Sequence, residues 1–81
     1  MAKALQAIRY RSLPGMLRQI REEAGLTQRE LAKKLRLHHS LIHNSETAER
    51  RVDVMEFIDW ATACGVDPVE TFQRVIKLRR N

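Results

Sequence analysis

Three histidines lie close together in the middle of the chain, at positions 38, 39 and 43. His39 and His43 are four residues apart, which on a helix places both imidazoles on one face, as in several zinc sites. No third ligand follows at a matching spacing, and the single cysteine, Cys64, has no second cysteine with which to complete such a site. We therefore interpret the histidines as surface residues and expect no metal.

Two carboxylates, Asp53 and Glu56, have the types needed for acid–base catalysis. Their spacing has another explanation, because an Asp followed three residues later by a Glu forms a capping box at the start of a helix. No nucleophile paired with a base is evident elsewhere. The sequence therefore predicts a protein that is not an enzyme, with no cofactor and no small-molecule ligand.

The charge balance favours an anionic partner. Lys and Arg number 15 against 10 Asp and Glu, which gives a net charge of +5 and a pI of about 10.1. The stretch 52–72 holds acidic residues but no Lys or Arg. A basic side opposite an acidic side would orient the protein on a polyanion, and nucleic acid is the first candidate, although basic surface also occurs in proteins without such a partner.

The length of 81 residues suits one small domain, and we predict that residues 1–81 form it. Residues 1–11 are expected to be a flexible or helical arm, and residues 13–78 the core. No apolar run approaches the roughly 18 residues of a membrane span, and the N-terminus lacks the apolar stretch of a signal peptide. With its single cysteine, the chain is predicted to be cytoplasmic, with no membrane partner.

The predicted elements are all helices, because no period-two run of β-branched residues occurs. Capping residues mark their starts: Ser12 for the first, Thr27 with Glu30 for the second, and Asp53 with Glu56 for the fourth. In chain order the predicted helices cover residues 13–24, 28 to the turn at 35–37, 39–45, 54–64, and 68 onward. The fold class is therefore predicted to be all-α.

Residues 28–46 have the pattern of a helix-turn-helix. Two short helices cross closely where Ala32 is small, and four apolar residues fill the wedge between them: Leu31, Leu35, Leu37 and Ile42. The second helix exposes short polar side chains surrounded by Lys and Arg. This is typical of a helix that reads base edges while cations bind phosphates. The predicted base contacts are His39, Ser40, His43 and Asn44, and the predicted phosphate contacts are Gln28, Lys33, Arg36, Arg50 and Arg51.

The chain resembles the XRE, or Cro-type, family of phage and bacterial regulators over residues 17–72. The residues that carry the resemblance are Arg21, the segment 25–28, Leu31 and Ala32, Ser40 and Ile42, Glu46, and the segments 49–57 and 65–68. The resemblance implies a five-helix, lambda-repressor-like domain whose third helix enters the major groove. It also implies a structural ion pair between Arg21 and Glu46, which their places at the edge of one predicted core support.

Three positions depart from the family pattern. Arg36 and Ala48 stand where the family usually has Gly, and Ser45 stands where it has an apolar or aromatic residue. We expect Arg36 and Ala48 either to take positive φ angles, at about 1 kcal/mol each, or to lie in turns that are built differently. Ser45 is expected to remove a packing contact at the end of the third helix.

A homodimer is expected, because one short helix reads too few base pairs to select a site. The predicted dimer surface consists of Val69, Phe72, Val75 and Ile76, with Trp60 as a further candidate. Trp60 and Met55 are otherwise interpreted as core or core-edge residues. The predicted function is a sequence-specific DNA-binding transcriptional regulator on a near-palindromic operator. The alternative is an antitoxin-like or adaptor protein that acts mainly through protein contacts.

Overall fold

Five α-helices follow one another in residues 10–77, the part of the chain that the computed structural model describes. They are α1 (Ser12–Glu23), α2 (Gln28–Leu35), α3 (His39–Glu46), α4 (Val54–Ala63) and α5 (Pro68–Lys77). Residues 10–77 contain no strand, which confirms the all-α, five-helix prediction. Apart from Tyr10 and Arg11, the predicted N-terminal arm lies outside the described residues, and so do residues 78–81.

The core lies where α1, α2, α3 and α4 meet. Leu17, Ile20, Leu31 and Ile42 are almost fully buried, and Leu35 and Leu37 pack against them from the turn between α2 and α3. These are the residues that the sequence places in the wedge of the helix-turn-helix and on the apolar stripe of the first helix.

Trp60 belongs to this core, which confirms its interpretation as a core residue, and the further prediction that it contributes to a dimer surface is wrong. Its side chain is 2% exposed, and its indole Nε1–H donates to the carbonyl of Leu17 over 3.2 Å. Met55 is 65% exposed, so the prediction that it belongs to the core or the core edge is wrong. Both residues lie on α4, but only the face that carries Trp60 turns towards α1.

The capping boxes that the sequence predicts are present. The backbone N–H of Glu30 donates to Thr27 Oγ1, and that of Glu56 donates to Asp53 Oδ1, each over 3.0 Å or less. The predicted cap at Ser12 is wrong. Arg11 already has helical dihedral angles (φ −55°, ψ −31°), so Ser12 is the first residue of α1 and not the residue before it.

Arg36 and Ala48 both adopt left-handed backbone conformations, with φ of 57° and 69°. At Arg36 this conformation ends α2, because the N–H groups of Arg36 and Leu37 turn back to the carbonyls of Lys33 and Ala32. The short connection to α3 thus depends on a conformation that L-residues adopt at a cost of about 1–2 kcal/mol.

Replacing Ala48 with Gly should stabilise the protein by about 1 kcal/mol, because glycine adopts positive φ without the steric cost of a Cβ. Thermal or urea unfolding measures the change. Ala24→Gly is the control, since Ala24 is also exposed but has φ of −78°. A stabilisation at both positions, or at neither, would contradict this explanation.

Candidate nucleic-acid interface

The N-terminus of α3 is capped by an imidazole. His38 Nδ1 accepts the backbone N–H of Ser40 at 3.2 Å and lies 2.8 Å from the Ser40 hydroxyl. Because a backbone N–H can only donate, Nδ1 must carry no proton in this arrangement. The cap therefore uses the Nδ1 lone pair of His38, and it occupies the hydroxyl of Ser40, one of the predicted base contacts.

His39 stacks on His38, with ring centroids 4.5 Å apart. Desolvation, followed by the charge of Arg29, lowers the pKa of His39 below its ordinary value. A neutral imidazole both donates and accepts hydrogen bonds, which suits it to contact a base edge.

The predicted base-contact residues lie together on α3. His39 and His43, like Ser40 and Asn44, are one helical turn apart, and all four keep some exposure. Ile42, Ser45 and Glu46 are buried on the other side of the helix. The helix therefore presents short polar side chains outwards and is held by its inner side.

A buried ion pair fixes that inner side. Arg21 Nε and Nη2 donate to the two oxygens of Glu46 at 2.6 and 3.0 Å, and the side chains are only 9% and 2% exposed. Arg21 Nη1 also donates to the carbonyl of Leu26 at 2.7 Å. The bonds to Glu46 raise the pKa of Arg21 above its ordinary value. This is the ion pair that the sequence predicts, and it ties α1 to the end of α3.

Gln28 joins the same cluster from the start of α2. Its Nε2 donates to Glu46 Oε1 at 3.0 Å, so Glu46 accepts from helices α1 and α2 at once. An amide nitrogen carries two N–H groups. The contact with Glu46 therefore leaves one N–H of Gln28 for the phosphate that the sequence predicts it to bind.

Arg51 and Tyr10 form a contact that the sequence did not indicate. The guanidinium carbon of Arg51 lies 4.4 Å from the centre of the Tyr10 ring, and the Tyr10 hydroxyl accepts the backbone N–H of Val52 at 2.9 Å. Arg51 itself is exposed. No local pattern links two residues this far apart in sequence, so only the folded chain reveals Tyr10 as a support for Arg51.

The other predicted phosphate contacts differ in their surroundings. Lys33 and Arg36 are exposed at the end of α2, free of burial. Arg50 is partly buried, and its guanidinium binds Ser45 and Glu56 within the protein. Arg50 therefore differs from Lys33, Arg36 and Arg51, because its guanidinium is bound within the protein and their side chains are exposed.

No group of three or more His, Cys, Asp or Glu side chains in residues 10–77 is arranged to hold a metal ion. Cys64 is buried, and desolvation raises the pKa of its thiol, which disfavours the thiolate that binds metals. None of the helices in this range is both long and apolar enough to span a membrane.

Comparison with known proteins agrees with this geometry. The family model described as a helix-turn-helix domain matches residues 15–72. The solved structure of an XRE-family like protein from Pseudomonas syringae pv. tomato str. DC3000 is similar, with a TM-score of 0.84 and 37% sequence identity, over 93% of this chain and 92% of that one. No curated protein matches the chain significantly. The chain belongs to the XRE-type helix-turn-helix family, a family of DNA-binding regulators.

Proposed function

We propose that this protein is a sequence-specific transcriptional regulator that binds double-stranded DNA as a homodimer, with α3 in the major groove. The observation that carries the proposal is the placement of α3. Its polar side faces outwards. Its inner side is held by the buried Arg21–Glu46 pair and by the apolar residues packed between α2 and α3. A rigidly held helix of short polar side chains is what direct reading of base edges requires.

Base reading is assigned to His39, Ser40, His43 and Asn44. Asn44 is the strongest of these, because its amide can form two hydrogen bonds with the N7 and N6 groups of adenine. The phosphate contacts are assigned to Gln28, Lys33, Arg36 and Arg51, which would fix the register of α3 without choosing sequence.

Replacing Arg51 with Ala should weaken binding to all duplexes alike and reduce the slope of log K against log salt by about one unit, since one phosphate contact is lost. Titrations at several salt concentrations measure this slope. Arg18→Ala is the control, because Arg18 is an exposed cation already paired with Glu22 on α1 at 3.1 Å. A relaxed preference at a single base pair would show instead that Arg51 reaches into a groove.

The dimer surface is assigned to an apolar groove between α4 and α5. Its exposed lining includes Val54, Ile58, Val69 and Phe72, and Ile76 continues it along α5. Val75 is half-buried against the core and contributes less. A second copy suits this surface, because α5 carries Glu70 near its start and Arg74 and Lys77 near its end. Two antiparallel copies of α5 about a two-fold axis would place opposite charges across the interface.

Replacing Val69 with Glu should convert the dimer to a monomer, because it places a charge in the apolar contact. It should also weaken binding to a two-site duplex. Sedimentation at high micromolar concentration measures the mass. Met55→Glu is the control, since Met55 is as exposed as Val69 but does not line the groove. A wild-type protein that stays monomeric both free and on DNA would exclude the dimer.

The alternative function is an antitoxin-like or adaptor protein that acts through protein contact. The exposed apolar groove is the observation that favours it, since apolar surface of this kind also binds other proteins. Salt dependence separates the two. A regulator that neutralises Z phosphates should show a slope of about −0.9Z on duplex DNA, and a protein-contact module should not.

A further inference from the structure

Arg50 is held inside the protein by three contacts. Its Nη1 donates to Ser45 Oγ at 3.1 Å, its Nη2 forms an ion pair with Glu56, and its backbone N–H donates to the carbonyl of Asn44 at 3.1 Å. The side chain is only 29% exposed. Arg50 thus contacts both the last turn of α3 and the first turn of α4.

Ser45 shows why this contact matters. Its side chain is completely buried, and its hydroxyl donates to the carbonyl of Leu41 at 2.7 Å. The hydroxyl oxygen keeps lone pairs that can accept from a further donor. Arg50 supplies that donor. The guanidinium therefore compensates for the apolar contact that Ser45 cannot make.

Glu56 completes the arrangement at the other end. One of its oxygens pairs with Arg50, and the other accepts the backbone N–H of Asp53 in the α4 capping box at 3.4 Å. Hydrogen bonds thus run continuously from α3 to α4 through three side chains, which we call the Ser45–Arg50–Glu56 brace.

We propose that Arg50 is a positioning residue for base reading and not a phosphate ligand. This inference rests on the proposed function. The planar fork of a guanidinium reaches two acceptors at once, which the single nitrogen of lysine does not reproduce. Asn44 directly precedes Ser45, whose hydroxyl the Arg50 guanidinium binds. The Asn44 carbonyl accepts the backbone N–H of Arg50, a bond that does not depend on the Arg50 side chain. The brace therefore sets the orientation of the last turn of α3, and with it the amide of Asn44.

The first test needs no DNA. Ser45→Ala and Arg50→Lys should each lower Tm by about 4–8 °C, and the double variant should lower it by clearly less than the sum. In a second cycle, with Glu56→Gln and Arg50→Lys, the double variant should again lower Tm by less than the sum of the two single changes. This cycle uses a milder substitution than Ser45→Ala. Additive losses in both cycles would show that the brace does not couple α3 to α4, and would overturn the proposal.

The second test compares two neighbouring arginines on duplex DNA selected by the wild-type protein. Lysine still binds a phosphate as a point charge, so Arg51→Lys should keep most of the affinity. Arg50→Lys should weaken it by about tenfold, with an unchanged salt slope and a relaxed preference at the base pair that Asn44 reads. A merely structural role would not move that preference.

The opposite results would overturn the proposal. If Arg50→Lys bound like the wild type, or if Arg50→Met lowered the salt slope by about one unit, Arg50 would be a phosphate ligand. If the wild type bound no duplex at all, the DNA-binding function would fail and the positioning role with it. The unfolding cycles would then still decide whether the brace itself exists.

Discussion

Replacing Glu46 with Gln should destabilise the protein by about 3–5 kcal/mol, which is a large part of the stability of a small domain. The substitution leaves the guanidinium of Arg21 buried against a neutral amide that has only one acceptor oxygen. Gln28 also loses its charged acceptor. Urea unfolding measures the effect, and Arg21→Met should cost a similar amount because it leaves the Glu46 carboxylate unpaired.

The double variant Arg21→Met with Glu46→Gln should cost much less than the sum of the two single changes, since no buried charge then lacks a partner. Arg18 and Glu22 provide the matched control. They form an ion pair of the same chemistry on α1, but their side chains are 63% and 53% exposed. Breaking that pair should cost no more than about 1 kcal/mol. Additive losses at Arg21 and Glu46 would show that the buried pair is not a coupled unit.

Replacing Asn44 with Ala should weaken binding to the selected duplex by about 1–3 kcal/mol and leave binding to random duplex DNA almost unchanged. The reason is that a base-edge contact contributes only on the cognate sequence, whereas phosphate contacts contribute on every sequence. Competition titrations with both duplexes measure the difference.

Gln19→Ala is the control for Asn44, because Gln19 is an exposed amide on α1, outside both the helix-turn-helix and the proposed dimer surface. It should change neither affinity. An equal loss on both duplexes in Asn44→Ala would remove Asn44 from base reading and assign it to the DNA backbone.

Features that depend on a few neighbouring residues could be predicted from the sequence. The capping boxes at Thr27 and Asp53 are of this kind, because each closes within four residues. The left-handed conformation of Arg36 is one of the two alternatives that the family resemblance implies, because Gly usually stands at that position. The contact between Arg21 and Glu46 spans more of the chain, but both residues follow core positions on their helices, and the family resemblance places them together.

Features that depend on how helices face one another were missed or misjudged. Trp60 and Met55 lie on one helix, and only the packing of α4 against the other helices decides which of them is buried. Arg50 and Arg51 are adjacent and chemically identical, yet one turns inwards to Ser45 and the other outwards over Tyr10. Charge alone does not distinguish them, because the distinction comes from partners elsewhere in the fold.

Selection of bound sequences from a random duplex library is the most direct test of the account, because it asks whether α3 chooses bases at all. The account predicts strong enrichment of a near-palindrome whose two half-sites lie about 34 Å apart, one helical turn of DNA, as a two-fold dimer requires. The Asn44→Ala protein should lose the preference at one position in each half-site. A library that remains random after repeated selection, while the protein is folded, would contradict the account.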